Sequence, residues 1–187
     1  MTGFYKLMIT IRAETSGDLD AIRHVVEMAF GQTGEARLVE ALRQADALIT
    51  SLVAVEEEQI VGHIAFSALA IESHDTTMNA VALAPLAVLP AHQRRGIGSE
   101  LVRRGIDHCR RARYGAVLGL GEPAFYQRFG FIKTSLHGIR CPFDVPDEAF
   151  MAAELFSGAL AGHSGTVKYR PEFDLVSGWM ETQCGVN

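Results

Sequence analysis

The chain has 187 residues, of which 48% are hydrophobic and 21% charged, the balance of a protein with one buried core. Its formal net charge is −5, which argues against general binding to nucleic acid. The three cysteines are odd in number and far apart, which argues against a disulfide framework and a cysteine-based metal site. We expect one domain over residues 1–187, without a metal.

No segment of the sequence predicts insertion into a membrane. The longest apolar run, 80–89, is too short to cross a bilayer and contains Pro85. Residues 1–15 lack the apolar core of a signal peptide. We therefore expect a soluble cytoplasmic protein.

Hydrophobic periodicity predicts the elements of the first half of the chain. They are a strand, two helices and a β-hairpin, over 9–11, 19–29, 38–45, 48–55 and 60–71. Thr15 or Ser16 can cap the first helix, and Gly31 ends it. The acidic stretch 56–59, between the two hairpin strands, is predicted to be a solvated turn.

The second half alternates strands and helices before it becomes irregular. The predicted elements are a strand, a long helix, a buried strand and a short helix, over 80–89, 97–112, 116–120 and 123–129. Short strands and turns are expected in the remainder. The order predicts an α/β fold with a mixed, largely antiparallel central sheet flanked by helices.

The junction between the third long strand and the long helix carries the clearest chemical signal, Q-R-R-G-I-G-S at 93–99. The first N–H groups of a helix have no internal partners, and they carry the positive end of the helix dipole. Gly96 and Gly98 keep side chains away from these groups, while Arg94 and Arg95 add positive charge. The junction therefore predicts a site for a phosphate-bearing ligand.

Two other phosphate-binding patterns fit the sequence less well. No G-x-x-x-x-G-K-[ST] string is present, and a dinucleotide fingerprint that started at Gly96 would need Gly or Ala where Leu101 stands. A second G-x-G-x-x-A string, at 119–124, does follow a predicted strand. However, Pro123 and Gly130 limit the next helix to about two turns, and no second βα unit follows.

The Q-x-x-G-x-G pattern at Gln93, Gly96 and Gly98 resembles the acetyl-CoA loop of the GNAT acetyltransferases. The preceding P-L-A-V strand and Y-Q-R-F-G-F at 126–131 resemble two further motifs of that family. G-E-P-A-F-Y-Q-R-F-G-F and the late S-G-T-V-K-Y-R-P-E-F are similar to the YhbS-like branch. The resemblance covers nearly the whole chain.

This resemblance implies a fold and a set of site residues. The fourth and fifth strands would splay apart, and Pro85, which cannot donate a ladder hydrogen bond, would produce the splay or else merely end a strand. The backbone N–H groups of Leu86, Ala87 and Val88 would then be free for pantetheine. The pyrophosphate would be bound by Gln93, Arg94, Arg95, Gly96, Ile97, Gly98 and Ser99.

The resemblance also implies roles in acyl transfer. Tyr126 matches the tyrosine that protonates the leaving thiolate, although it can instead serve only in packing. A backbone N–H near Val88 would stabilise the oxyanion. The general base is not evident, because residues 79–90 contain no Asp, Glu or His. Candidates outside that strand are Glu72, His74, Asp75, Glu122 and His137. The simpler interpretation of each is a surface, turn or capping role. His63 and His92 are predicted to be structural.

We therefore expect an N-acetyltransferase that moves the acetyl group of acetyl-CoA to a primary amine of a small molecule or a peptide. The alternative is a non-catalytic protein that binds or senses acyl-CoA, since the fold alone does not separate the two. We expect neither nucleic acid nor a membrane as partner. The sequence leaves the acceptor and a homodimer open.

Overall fold

The structure, a computed structural model, describes residues 9–72 and 77–176. The described residues form four α-helices, α1 (Leu19–Phe30), α2 (Gly34–Gln44), α3 (Ile97–Arg111) and α4 (Pro123–Tyr126). The strands are β1 (Thr10–Ala13), β2 (Leu48–Glu56), β3 (Gln59–Glu72), β4 (Thr77–Val88), β5 (Ala116–Leu120), β6 (Ile132–Lys133), β7 (Ile139–Arg140), β8 (Phe150–Glu154) and β9 (Gly165–Lys168). Short 3-10 turns join several of them. None of the helices in this part of the chain is long and apolar enough to cross a membrane.

The strands form one mixed sheet in the order β1-β2-β3-β4-β5-β8-β6. β9 pairs with the far end of β3 and with β7. Within the described residues only the β4–β5 and β7–β9 pairs are parallel. The predicted α/β class with a largely antiparallel sheet is confirmed, and α3 intervenes between the two parallel strands β4 and β5, as a crossover requires.

The two faces of the sheet are covered by different helices. Phe66 of β3 faces α3 so closely that a Cβ added at Gly105 would lie 2.1 Å from its ring. The opposite face carries the other two helices: α1 packs on β3 and β4, and Leu38 and Leu42 of α2 belong to the same buried cluster as alanines 80, 82 and 84 of β4. The small residues on β4 thus let a helix approach the sheet directly beside the point at which β4 and β5 separate.

A β-bulge at Ala84 and Pro85 changes the direction of the side chains along β4. Phe66 pairs with Leu83 and Ile64 pairs with Leu86, so two residues of β3 span three on β4. Cross-strand partners point to the same face. Leu83 and Leu86 therefore both face α3, and the alternation of β4 is reversed beyond the bulge.

The bulge coincides with the end of pairing between β4 and β5. These strands pair only from Val81 to Leu83 on β4, while β4 itself continues to Val88. β5 ends at Leu120, and the N–H of Gly121 then donates to the carbonyl of Ala149 at 3.1 Å. A gap consequently opens between the last five residues of β4 and the end of β5, which is the splay predicted at Pro85.

Candidate functional site

The start of α3 presents unpaired backbone donors. Gly96 is the cap of the helix, with φ of 85°, and its carbonyl accepts the first helical hydrogen bond from the N–H of Glu100 at 3.0 Å. The N–H groups of Ile97, Gly98 and Ser99 therefore precede the first helical bond. Among the residues that the structure describes, no side chain caps this end of α3. The groups point out of the helix at its positive end, as an anion site requires.

The loop before α3 has a backbone that is costly to hold. Arg94 has φ of 59° and Gly96 has φ of 85°, both in the left-handed region. This region costs a non-glycine residue about 1 kcal/mol or more. The side-chain amide of Gln93 donates to the carbonyl of Val88 at 3.1 Å and ties the loop to the end of β4. The side-chain amide of Gln93 thus holds the loop in place and is not directed to a ligand.

The open space beside this helix start is called the loop cleft, a hollow of about 490 Å³. Its volume lies within the usual range for ligand pockets, roughly 300–1,000 Å³. It is lined by Leu86, Val88, His92, Gln93, Arg94, Gly96, Ile97, Gly98, Ser99, Phe125 and Arg128. Eight of the ten predicted cofactor-binding residues belong to this lining. A Cβ at Gly98 would make only ordinary contacts, at 3.7 to 3.8 Å, with Phe125, Leu86 and Val88. The cleft therefore connects the helix start with the gap beside β4.

Ala87 and Arg95 are the two predicted residues that do not line the loop cleft. The N–H of Leu89 donates to the carbonyl of Val61 at 2.9 Å. Hydrogen bonding alternates along an antiparallel ladder, so Ala87, two residues earlier, also directs its N–H to β3. The N–H groups of Leu86 and Val88 consequently face the gap. The sequence-based expectation of three free donors is thus reduced to two.

Arg95 is directed to a carboxylate rather than to the cleft. Its guanidinium forms two hydrogen bonds with Glu56, at 2.5 and 3.0 Å. Glu56 is only 5% exposed, so the prediction that it belongs to a solvated turn is wrong. The turn consists of Glu57 and Glu58, which are exposed and have positive φ, and it directs Glu56 inward.

Arg128 and Phe125 are site residues that the sequence patterns did not indicate. Nη2 of Arg128 lies 3.3 Å from Oγ of Ser99, and its guanidinium carbon lies 4.8 Å from the Phe125 ring centroid. Stacking on an aromatic ring holds a guanidinium in place without neutralising it. Arg128 therefore supplies positive charge beside the start of α3. The basic residue two places after Tyr126 was the available signal.

Tyr126 lies at the end of α4, next to the gap. Its ring packs on those of Phe125 and Phe131, with centroids 5.0 and 5.3 Å away. A Cβ at Gly121 would lie 2.7 Å from this ring, so glycine is required for the close approach. Burial raises the pKa of Tyr126, and the hydroxyl therefore keeps its proton at neutral pH. Glu122 caps the helix by accepting from the N–H of Ala124 at 3.3 Å, as predicted.

The remaining candidates for a general base are not brought together at the gap. Glu72 is exposed and pairs with Lys168 at 3.0 Å, far along β3. His74 and Asp75 lie outside the described residues. His137 is half-buried in the 3-10 turn Thr134–His137, and no hydrogen-bond partner of its Nε2 occurs in the described part of the chain.

His63 is a structural residue, in line with its prediction. It is fully buried, and its Nε2 lies 2.8 Å from Oγ of Ser51. Ser51 donates its hydroxyl proton to Glu14, which is bound bidentately by Arg43 at 2.7 and 2.9 Å. Burial lowers the pKa of His63, so the ring is neutral and donates from Nε2 to Ser51. This network joins Glu14, which follows β1, to β2, β3 and α2 away from the loop cleft.

A buried carboxylate at the start of α2 was also missed by sequence reasoning. Glu35, in the first turn of α2, is 0% exposed, and its Oε1 accepts from Gln32 at 2.7 Å. Its Oε2 has no hydrogen-bond partner among the described residues. A buried carboxylate oxygen without a partner is costly. Glu35 occupies the helix turn before Leu38, which packs in the same cluster as Ala84.

A second hollow, of about 390 Å³, is called the C-terminal pocket. It is lined by Thr134, Ser135, Gly138, Ile139, Arg140, Cys141, Phe143, Val145, Pro146, Asp147 and Phe150. Phe150 pairs with Leu120, the last residue of β5, so the pocket begins beside the splayed strand. No group of three or more metal-binding side chains occurs in residues 9–72 or 77–176.

Comparison with known proteins gives consistent similarities. Residues 10–133 match the model of the acetyltransferase (GNAT) domain. The chain is 36% identical to the uncharacterized N-acetyltransferase YhbS of Escherichia coli K12, over 88% of this chain and 98% of YhbS. The crystal structure of E. coli YhbS in complex with CoA superposes with a TM-score of 0.85 at 34% identity, covering 93% of this chain and 96% of that one. A GNAT acetyltransferase from Brucella melitensis in complex with acetyl-CoA gives 0.73 at 35% identity, covering 89% and 99%.

Proposed function

This chain belongs to the GNAT acetyltransferase family, and we propose that it transfers the acetyl group of acetyl-CoA to a primary amine through the loop cleft and Tyr126. The observation that carries the proposal is the continuity of the site. Free N–H groups at the start of α3 open onto the gap beside β4, and Tyr126 follows the end of β5 on the other side of that gap. The two relatives crystallised with CoA and acetyl-CoA support this choice of substrate.

Backbone groups provide most of the proposed binding of CoA. The N–H groups of Ile97, Gly98 and Ser99 would bind the diphosphate, with Arg94 and Arg128 adding attraction that salt screens. The N–H groups of Leu86 and Val88 would bind the pantetheine amides as an additional strand would. Gly98 leaves room for the diphosphate because its missing side chain would point between Phe125 and β4.

The proposed chemistry is direct transfer. The amine nitrogen attacks the thioester carbonyl, whose developing negative charge a gap-facing N–H such as that of Val88 would stabilise. The C–S bond then breaks, and Tyr126 gives its proton to the thiolate and is reprotonated from water. Residues 79–90 contain no Asp, Glu or His, so we assign no base on β4, and the amine loses its proton to water.

We further propose that the acceptor approaches from the side of the C-terminal pocket, as a small molecule or a peptide end. The pocket adjoins the end of β5, and Ile139, Phe143 and Phe150 make it largely apolar. Residues 1–187 would act as one domain in the cytoplasm. Gel filtration would distinguish a monomer from a homodimer.

A non-catalytic protein that binds acyl-CoA is the second candidate, and the absence of a carboxylate on β4 favours it. The deciding experiment measures acetyl-CoA binding by calorimetry and free CoA release with a panel of primary amines, peptides and aminoglycosides. Transfer predicts both binding and amine-dependent release of CoA. Binding without release for any amine supports the second candidate, and no binding by folded protein overturns both.

A further inference from the structure

Glu56 lies at the tip of the β2–β3 hairpin and contacts the loop that precedes α3. Its two oxygens accept from the guanidinium of Arg95 at 2.5 and 3.0 Å. Oε2 also lies 2.9 Å from Nδ1 of His92. The hydrogen bonds from Arg95, with His92 beside it, hold the pKa of Glu56 below its usual range, so the carboxylate is charged at neutral pH. One side chain therefore contacts both ends of the four-residue stretch 92–95.

This stretch is the part of the loop whose backbone is least favourable. Arg94 adopts a positive φ without being glycine, and Gly96 follows with a second one. Such conformations persist only where surrounding contacts impose them. Gln93 anchors one side through the carbonyl of Val88, and Glu56 anchors the other through Arg95 and His92. Within the described residues these are the side-chain hydrogen bonds that join the loop to the sheet.

We propose that Glu56 is a positioning residue that holds the loop in the conformation in which the first N–H groups of α3 are open to the diphosphate of CoA. The inference rests on the proposed function of the loop cleft. Arg95 then serves to connect Glu56 to the loop backbone and does not itself neutralise a phosphate. A loop that is ordered before binding costs less entropy when the ligand arrives, which increases affinity without a new contact to the ligand.

Neutralising Glu56 changes the affinity for CoA in opposite directions depending on whether Glu56 anchors the loop or acts only through its charge. Removing a negative charge near an anion site should strengthen binding of CoA if Glu56 acts only through its field. Removing the anchor should weaken binding, because the loop then loses conformational entropy when CoA binds. The same neutralisation therefore has opposite outcomes under the two accounts.

The experiment measures the dissociation constant of CoA and the kinetics with acetyl-CoA for Glu56→Gln and Arg95→Gln. We expect each to weaken binding by about tenfold, with kcat within about twofold of wild type at saturating acetyl-CoA. The double variant should bind no more weakly than either single variant, because both remove one anchor. Glu56→Asp, which keeps the charge, should recover part of the affinity.

Glu57→Gln and Glu58→Gln are the matched controls, since they remove the same charge from exposed neighbours. They should leave the affinity unchanged or slightly increased. The proposal is overturned if Glu56→Gln binds CoA as tightly as wild type or more tightly, or if Arg95→Gln alone reduces the salt dependence of binding. Should Glu56→Gln unfold in a urea titration, Arg95→Gln provides the test through its salt dependence, because loss of an anchor weakens binding with an unchanged salt slope, whereas loss of a cation that contacts phosphate also flattens the slope. Failure of wild-type protein to bind CoA would instead refute the proposed function.

Discussion

The loop cleft and the C-terminal pocket are hollows of similar volume, about 490 and 390 Å³, but they are built from different elements. The loop cleft is formed where a 12-residue strand meets a 15-residue helix. The C-terminal pocket is formed by two-residue strands and 3-10 turns between 132 and 150. Both hollows have polar side chains in their lining, but the loop cleft adds the free backbone N–H groups of a long helix start.

This difference suggests how one molecule combines a constant and a variable substrate. Backbone donors at the end of a long helix keep their positions whatever the side chains are, which suits the diphosphate of a cofactor. Side chains on short turns can change with little effect on the sheet, which suits an acceptor. Substitutions in the loop cleft should therefore affect the cofactor, and substitutions in the C-terminal pocket should affect the acceptor.

Gly98→Asp should abolish most cofactor binding. The new side chain finds space in the cleft, but its charge lies where the diphosphate is proposed to bind, and a like-charge contact should cost roughly 100-fold in affinity. Calorimetry with CoA measures the loss. Gly98→Asn, which has nearly the same shape without the charge, should lose much less. Equal affinities of wild type and Gly98→Asp would place the diphosphate elsewhere.

Tyr126→Phe should reduce turnover by roughly tenfold or more, because the thiolate then leaves without a proton donor. The ring contacts with Phe125 and Phe131 remain, so CoA affinity and thermal stability should change little. Single-turnover measurements, in which chemistry limits the rate, provide the test. An unchanged rate would leave Tyr126 a packing residue.

Arg128→Gln should weaken CoA binding by about fivefold and reduce its dependence on salt, since one cation beside the diphosphate is lost. Arg128→Lys should recover only part of the affinity, because an ammonium does not stack on Phe125 as a guanidinium does. Arg111→Gln, at the exposed far end of α3, is the control. Identical salt slopes for Arg128→Gln and wild type would contradict the assignment.

Phe143→Ala should have the smallest effect on the cofactor, with CoA affinity within about twofold of wild type. The residue lines the C-terminal pocket and contacts the ring of Tyr169, with centroids 5.3 Å apart. Its removal enlarges the pocket and should change the apparent KM of the acceptor or the order of preference among amines. An unchanged acceptor profile would show that the acceptor binds elsewhere, and stability measurements on the same sample account for the lost packing.

The amino-acid sequence alone predicted those features that depend on near neighbours. The start of α3 at Ile97, the glycines of the loop and the cap that Glu122 provides to Ala124 all depend on residues within a few positions of one another. Hydrophobic periodicity likewise predicted α3 and the buried strand after it. Pro85 indicated the end of pairing between β4 and β5, because a missing N–H is a local property.

Tertiary structure determined the features that join distant parts of the chain. Arg95 and Glu56 are 39 residues apart, and Arg128 and Ser99 are 29 apart, so no local pattern brings them together. The burial of Glu56 depends on how the hairpin packs beside the loop, and the direction of the Ala87 N–H depends on its register with β3. Local sequence thus specifies which backbone groups are available, whereas strand register and long-range packing decide which of them are already occupied.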